Sequence, residues 1–387
     1  MAIDRRQFNG GLIGAAAAAV AGGLVAGPAR AAYRGPNVVV VRFGGGVRRR
    51  ETIEAETSFA PGLLHRLAPR GVLMPQMSIA QIDGVDTSHA EGTINLLTGR
   101  YGAYRDVGEG AEIGHFEPTE PTLFEYFRSR FDIPAHQALL VNGEDRPQEE
   151  FLSYGIHKSL GVAYRSEVLS LYRFKRWKLS RFLAEGGGTD EARAAAETEL
   201  AELVAKQSRD GGATQAPEIE AMWAEWQRYY GDDGLKNPRG DAALTELALW
   251  ALRHLRPRLM MINYQDPDYV HWGNASHYTR AIAAIDRDLA RLVAATDADP
   301  EYAGNTVFMV VPDCGRDANP LMSVPFQHHF NSRSAHEIFA LVFGPGIVRG
   351  RVLDKPVDQS AVAATVGAIM GVETPRTESR ALEEIFA

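Results

Sequence analysis

The chain has 387 residues, 45% of them hydrophobic, enough for one large core or two modest ones. Its formal net charge is −8 with the acidic residues dispersed, which argues against nucleic acid as a partner because phosphate backbones call for a basic face. A lone cysteine, Cys314, excludes an internal disulfide, so the fold rests on packing.

The first feature in chain order is an address. Arg5 and Arg6 lie ahead of Phe8, a weakly apolar Ala- and Gly-rich stretch runs over 11–26, and Pro28-Ala29-Arg30-Ala31 offers a small-x-small cleavage site. Paired arginines before a mildly hydrophobic segment resemble a twin-arginine signal over 1–31, with an ordinary secretory signal or short helical anchor as the competing reading. The run is too short and glycine-rich to span a bilayer comfortably, so no transmembrane segment is expected in the mature chain, 32–387. The expected location is periplasmic or secreted, reached in the folded state.

Residues 37–43 form a continuous β-branched run that ends in Gly44-Gly45-Gly46. A run apolar on both faces suits a central strand of a parallel sheet. Similar runs at 138–141, 259–264, 306–311 and 338–343 are predicted strands. Helical spacing predicts helices over 123–131, 242–254 and 278–296, the last with Ile282, Ile285, Leu289 and Val293 on one face. Strands alternating with helices predict an α/β domain with a mostly parallel sheet covered on both faces. The charged, aromatic stretch from about 165 to 240, broken at Gly186-Gly187-Gly188 and near Asp210, reads as a helical insertion or lid.

Polar clusters follow the apolar runs, where open α/β sheets bind ligands. Asp266, Asp268 and His271 follow 259–264; Asp313 and Cys314 follow 306–311; His328, His329 and His336 precede 338–343. Carboxylates and imidazoles gathered on neighbouring strand ends are what a divalent metal needs. Arg48, Arg49 and Arg50 could bind an anionic group bidentately or merely start a solvated helix. The triple glycine could offer backbone N–H groups to an anion or form a bare turn.

Five segments, in order, carry a resemblance. Ser88-His89 through Thr98-Gly99-Arg100-Tyr101, the segment from Asn263 to Gly273, residues 306–315, residues 339–347 and residues 357–375 resemble segments of the alkaline phosphatase superfamily, in its sulfatase and phosphodiesterase-like branch. The resemblance implies a three-layer α/β/α sandwich and one or two divalent ions, zinc foremost. It implies an ester-hydrolysing site acting on an anionic small molecule or glycan. Thr87, Ser88 and Thr93 compete as the catalytic nucleophile, and Arg48, Arg50 and His89 as substrate-binding groups. The first metal would take Asp268, His271 and one of His328, His329 and His336, with His329 favoured; Asp313 and Cys314 would serve the second.

The departures matter equally. The family's first-strand Asp is replaced by glycine within 43–48, and the His of its Asp-His-Gly by Cys314. A Cys314 thiolate would favour zinc over oxygen-loving ions, whereas a small buried hydrophobe is the plainer role. The expected function is an exported, metal-dependent hydrolase of phosphate or sulfate esters. One alternative is a non-catalytic relative that binds a ligand or partner, and a further one is a transferase of phospho-groups to a surface glycan or lipid.

Overall fold

Alternation within each apolar run explains why the sheet is covered on both faces. In β1 (Asn37–Arg42), Val39 and Val41 enter one core while Val38 and Val40 enter the other. β8 (Thr306–Val311) divides the same way, Phe308 and Val310 against Val307 and Met309. The computed structural model describes residues 32–80, 87–108, 115–143, 146–205, 209, 216–231, 240–271, 273–318, 326–329 and 332–387. The signal over 1–31 and the break near Asp210 lie outside the described residues.

The other strands are β2 (Gly71–Ser78), β3 (Tyr104–Asp106), β4 (Phe116–Pro118), β5 (Ala138–Asn142), β6 (Glu167–Leu169), β7 (Leu259–Asn263), β9 (Glu337–Phe343), β10 (Arg351–Val352) and β11 (Val357–Asp358). The main sheet runs β10-β2-β9-β8-β1-β7-β5-β6, with β11 also on β2. β8, β1, β7, β5 and β6 are parallel; β9 runs antiparallel to both β8 and β2. β3 and β4 form a separate hairpin.

The helices are α1 (Arg49–Thr52), α2 (His89–Thr98), α3 (Leu123–Phe131), α4 (Arg146–Glu149), α5 (Leu171–Ala184), α6 (Asp190–Ala205), α7 (Pro217–Tyr230), α8 (Asp241–His254), α9 (Ala275–Ala298), α10 (Arg333–His336) and α11 (Ala361–Met370). The core holding Val39 and Val41 includes residues of α5, α7, α8 and α9; the other includes residues of α2, α3 and α11. The layers are therefore helix, sheet, helix. In the region expected to be an insertion from about 165, residues Glu167–Leu169 instead form an edge strand on β5, and the helices begin after it. An aromatic cluster of Phe174, Trp177, Trp223 and Trp226 joins α5 and α7 to Trp250 of α8. Among the described residues no helix is long and apolar enough to cross a membrane.

Candidate metal centre

Parallel pairing brings the carboxyl ends of β1, β7 and β8 to one edge. Because β9 runs the other way, the segment that precedes it reaches that same edge and delivers His328. α2 arrives by its N-terminus. It packs so closely on the end of β8 that a Cβ on Gly92 would collide with the Asp313 carbonyl. His89, one turn earlier, is thereby set beside Asp313.

Donor atoms of His89, Asp268, His271 and His328 all lie within 4.8 Å of one another. The Nε2 atoms of His271, His89 and His328 stand 2.7, 2.8 and 3.5 Å from one atom, Asp268 Oδ1. Each ring is tied on its other side. His328 Nδ1 lies 2.6 Å from the Thr87 carbonyl, which can only accept, so Nδ1 carries the proton and Nε2 the lone pair. Gln327 donates to the His271 carbonyl through Nε2, which turns its Oε1 toward His271 Nδ1 at 2.7 Å. His89 Nδ1 meets Asp313 Oδ2 at 2.7 Å. Oxygen acceptors behind each imidazole are the pattern by which proteins orient metal-binding histidines.

The test of fit is the state of the inner nitrogens. His328 Nε2 is buried and without a hydrogen-bond partner, and His89 Nε2 is buried with Asp268 Oδ1 2.8 Å away. A neutral His328 sets its lone pair facing a carboxylate oxygen, an arrangement that asks for a cation between them. Burial, with help from the neighbouring His89 and Arg316 charges, pushes His328 down to about 3, so it stays neutral. For Asp268, burial opposes ionisation, but the neighbouring His89 and the hydrogen bond of His271 hold it well below the usual range. Burial likewise disfavours a charge on His89, yet Asp268 and Asp313 outweigh it and raise it well above an ordinary imidazole. His89 lies between two carboxylates, Asp268 Oδ1 at 2.8 Å and Asp313 Oδ2 at 2.7 Å. Three imidazoles and one carboxylate match the ligand types and number of a tetrahedral zinc site.

Two arginines complete the centre. Arg42, the last residue of β1, is fully buried with Nη1 3.6 Å from Asp313 Oδ2, and it donates to Thr93 Oγ1, Gln265 Oε1 and the Tyr264 carbonyl. Arg316, also buried, donates to Asp268 Oδ1 at 2.6 Å and to the carbonyls of Gly45, Gly46 and Phe326. The triple glycine cradles the Arg316 guanidinium with the Gly45 and Gly46 carbonyls, while the Gly46 N–H donates to the Asp313 carboxylate at 3.3 Å. Gly45 and Gly46 take φ of 78° and 65°, the left-handed region that side chains disfavour, and a Cβ on Gly44 would strike the Tyr264 carbonyl.

The other expected residues distribute as follows. His329, favoured as the ligand, is exposed and stacks on His271, with centroids 5.7 Å apart; His328, not His329, is the histidine that joins the cluster. His336 is buried elsewhere, beside the Ile79 carbonyl, because it ends α10. Cys314 is core-packed, 3.7 Å from His89 Nδ1; burial first, then Asp313, pushes its thiol up to about 11. Asp266 turns away to the first turn of α8, accepting from the Asp241 N–H. Thr87 and Thr93 are buried and bonded to the His328 and His89 carbonyls, while Ser88 caps α2 and is only part-buried. Arg48 is committed to Glu51 and stacked over Phe326; Arg50 is exposed, and both line a 430 Å³ cleft. His89 is a buried bridge between Asp268 and Asp313, not a group open to substrate. Arg42 and Arg316 were not anticipated from sequence.

A mostly parallel sheet between helical layers is the fold of solved structures that include an alkaline phosphatase, a member of the alkaline phosphatase superfamily and a sulfatase. The structure is similar to wild-type alkaline phosphatase PafA, with a TM-score of 0.58 and 12% identity over 92% of this chain and 100% of that one. It is also similar to a protein in the alkaline phosphatase superfamily from Vibrio parahaemolyticus (0.53, 14%, 93% and 72%). A third neighbour is a 2-O GAG sulfatase (0.54, 12%, 90% and 74%). No protein-family model and no curated protein matches the sequence.

Proposed function

We propose that this is an exported, metal-dependent hydrolase of phosphate or sulfate esters. The observation that carries the reading is the convergence of three tethered imidazole Nε2 atoms on Asp268 Oδ1, with that of His328 buried and without a hydrogen-bond partner. His89, His271, His328 and Asp268 would hold the ion, and the all-nitrogen-and-oxygen donor set with four ligands favours zinc. When bound, such an ion supplies Lewis-acid polarisation of an ester oxygen.

The chain's own groups do the rest. Asp313, Gln327 and the Thr87 carbonyl orient the three rings, and Arg316 holds Asp268 in place. Of the three candidate hydroxyls, Ser88 is the one left part-exposed, and its Oγ lies 3.0 Å from Glu91 Oε2. Glu91 would accept the Ser88 proton as the oxygen attacks phosphorus or sulfur and pass it to the departing alkoxide, after which water would cleave the seryl ester and restore Ser88. The signal over 1–31 would deliver the folded protein to the periplasm or beyond, where an anionic ester, small molecule or glycan, is the substrate.

The test is turnover of p-nitrophenyl phosphate, bis-p-nitrophenyl phosphate and p-nitrophenyl sulfate by zinc-loaded protein, with H271A as control. Release of nitrophenol from at least one, absent in the variant, is expected. No release from any would favour the second reading, a ligand-binding relative. That reading has its own support: Thr87 and Thr93 are locked to backbone carbonyls, and Ser88 has a capping duty.

A further inference from the structure

We propose that the centre takes a single divalent ion, and that the buried Arg42 guanidinium supplies the positive charge a second ion would otherwise bring. The inference rests on the metal-centre reading above and deepens it.

The only other grouping of possible ligands among the described residues is His89, Asp313 and Cys314. Its members are already spent. Asp313 Oδ1 accepts the backbone N–H groups of Cys314 at 2.9 Å and Gly46 at 3.3 Å. Asp313 Oδ2 faces His89 Nδ1 at 2.7 Å and Arg42 Nη1 at 3.6 Å. His89 could serve two ions only as an imidazolate, giving up the bond that orients it for the first. Cys314 would then be left with one carboxylate, too few ligands for a tetrahedral ion.

Charge points the same way. Arg42 enters from the end of β1 and is fixed by Thr93, Gln265 and the Tyr264 carbonyl, so it cannot swing aside for a dication. No solvent screens it, since neither Arg42 nor Asp313 is exposed. On the opposite flank, the loop that would carry an acidic ligand holds carbonyls on Arg316. Asp268 and Asp313 are thus balanced by two guanidiniums, which leaves charge for one ion only.

Two measurements test this on the mature chain. Saturation with Zn²⁺ or Co²⁺, followed by gel filtration and elemental analysis, is expected to give one equivalent. The cobalt form is expected to lack the near-ultraviolet thiolate charge-transfer band, and C314S to keep its full equivalent. Two equivalents, or a thiolate band, would overturn the single-ion inference while leaving the metal centre standing. No bound metal would overturn both. The second measurement separates charge from scaffolding. Arg42→Met, which deletes a neighbouring positive charge, is expected to bind Zn²⁺ several-fold tighter, and Arg42→Lys to match wild type. Weakened binding in both would show that Arg42 only props the loop.

Discussion

Two adjacent histidines, His328 and His329, do different things because one ring turns inward to the Thr87 carbonyl and the other lies exposed against His271. H328A and H271A are therefore expected to lose bound zinc in elemental analysis, and H329A to retain it. Asp313 acts behind His89, so D313N should weaken zinc binding by about 10–100-fold, the usual cost of a lost orienting partner, without changing its stoichiometry. Ser88 carries two duties that separate experimentally. Loss of the cap in S88A costs about 1 kcal/mol, read as a lower unfolding midpoint, whereas loss of a nucleophile abolishes turnover outright. Much of the centre was legible at this scale. Asp268 and His271 stand three apart after an apolar run, and that pattern pointed to them. Which of His328, His329 and His336 faces inward was not legible, because spacing does not report ring direction. Arg42 and Arg316 were invisible for a different reason. A lone arginine reads as surface, and only the packing of three chain segments makes it a buried counter-ion.

Among the elements, α2 shows how backbone contact sets chemistry. Its Gly92 lies against the Asp313 carbonyl, so G92A must shift the helix or the strand end. We expect a stability loss of about 1–3 kcal/mol, the range for overpacking, and weaker zinc binding, because His89 moves with the helix. A cap remote from the centre makes a useful contrast, although Thr122 and Glu125 are both buried. α3 begins with a capping box, in which Thr122 accepts from the Glu125 N–H and Glu125 reaches back to the Thr122 N–H. T122A should cost about 1 kcal/mol in chemical denaturation and leave zinc content unchanged. Long apolar runs announced β1, β7, β8 and β9, and helical spacing announced α3, α8 and α9. β2 escaped because Pro75 and Gln76 interrupt it at an irregularity in its pairing with β9. The antiparallel sense of β9 escaped too, since an apolar run carries no direction.

At the level of the whole molecule, the centre joins segments that are remote in sequence: the start of α2, the turn after β7 and the segment before β9. An ion held by all three binds the folded chain and has little hold on the unfolded one. At 100 times its dissociation constant it adds about 2.7 kcal/mol. Chelation is therefore expected to lower the thermal midpoint of the wild type and to leave that of H271A unchanged; equal midpoints in the wild type with and without chelator would contradict the site.

The position of β1 reaches beyond the site. It leaves the ribosome first among the strands, yet its partners are β7 and β8, so that Val38 waits for Leu259 and Val307. For most of synthesis its run of four valines has no native neighbour, and a bare, uncharged β-branched segment is an invitation to pair with another chain. The central pairings of the sheet are therefore distant in sequence, the kind that slows folding. Until β7 and β8 have been made, that valine run is without the strands that flank it in the sheet.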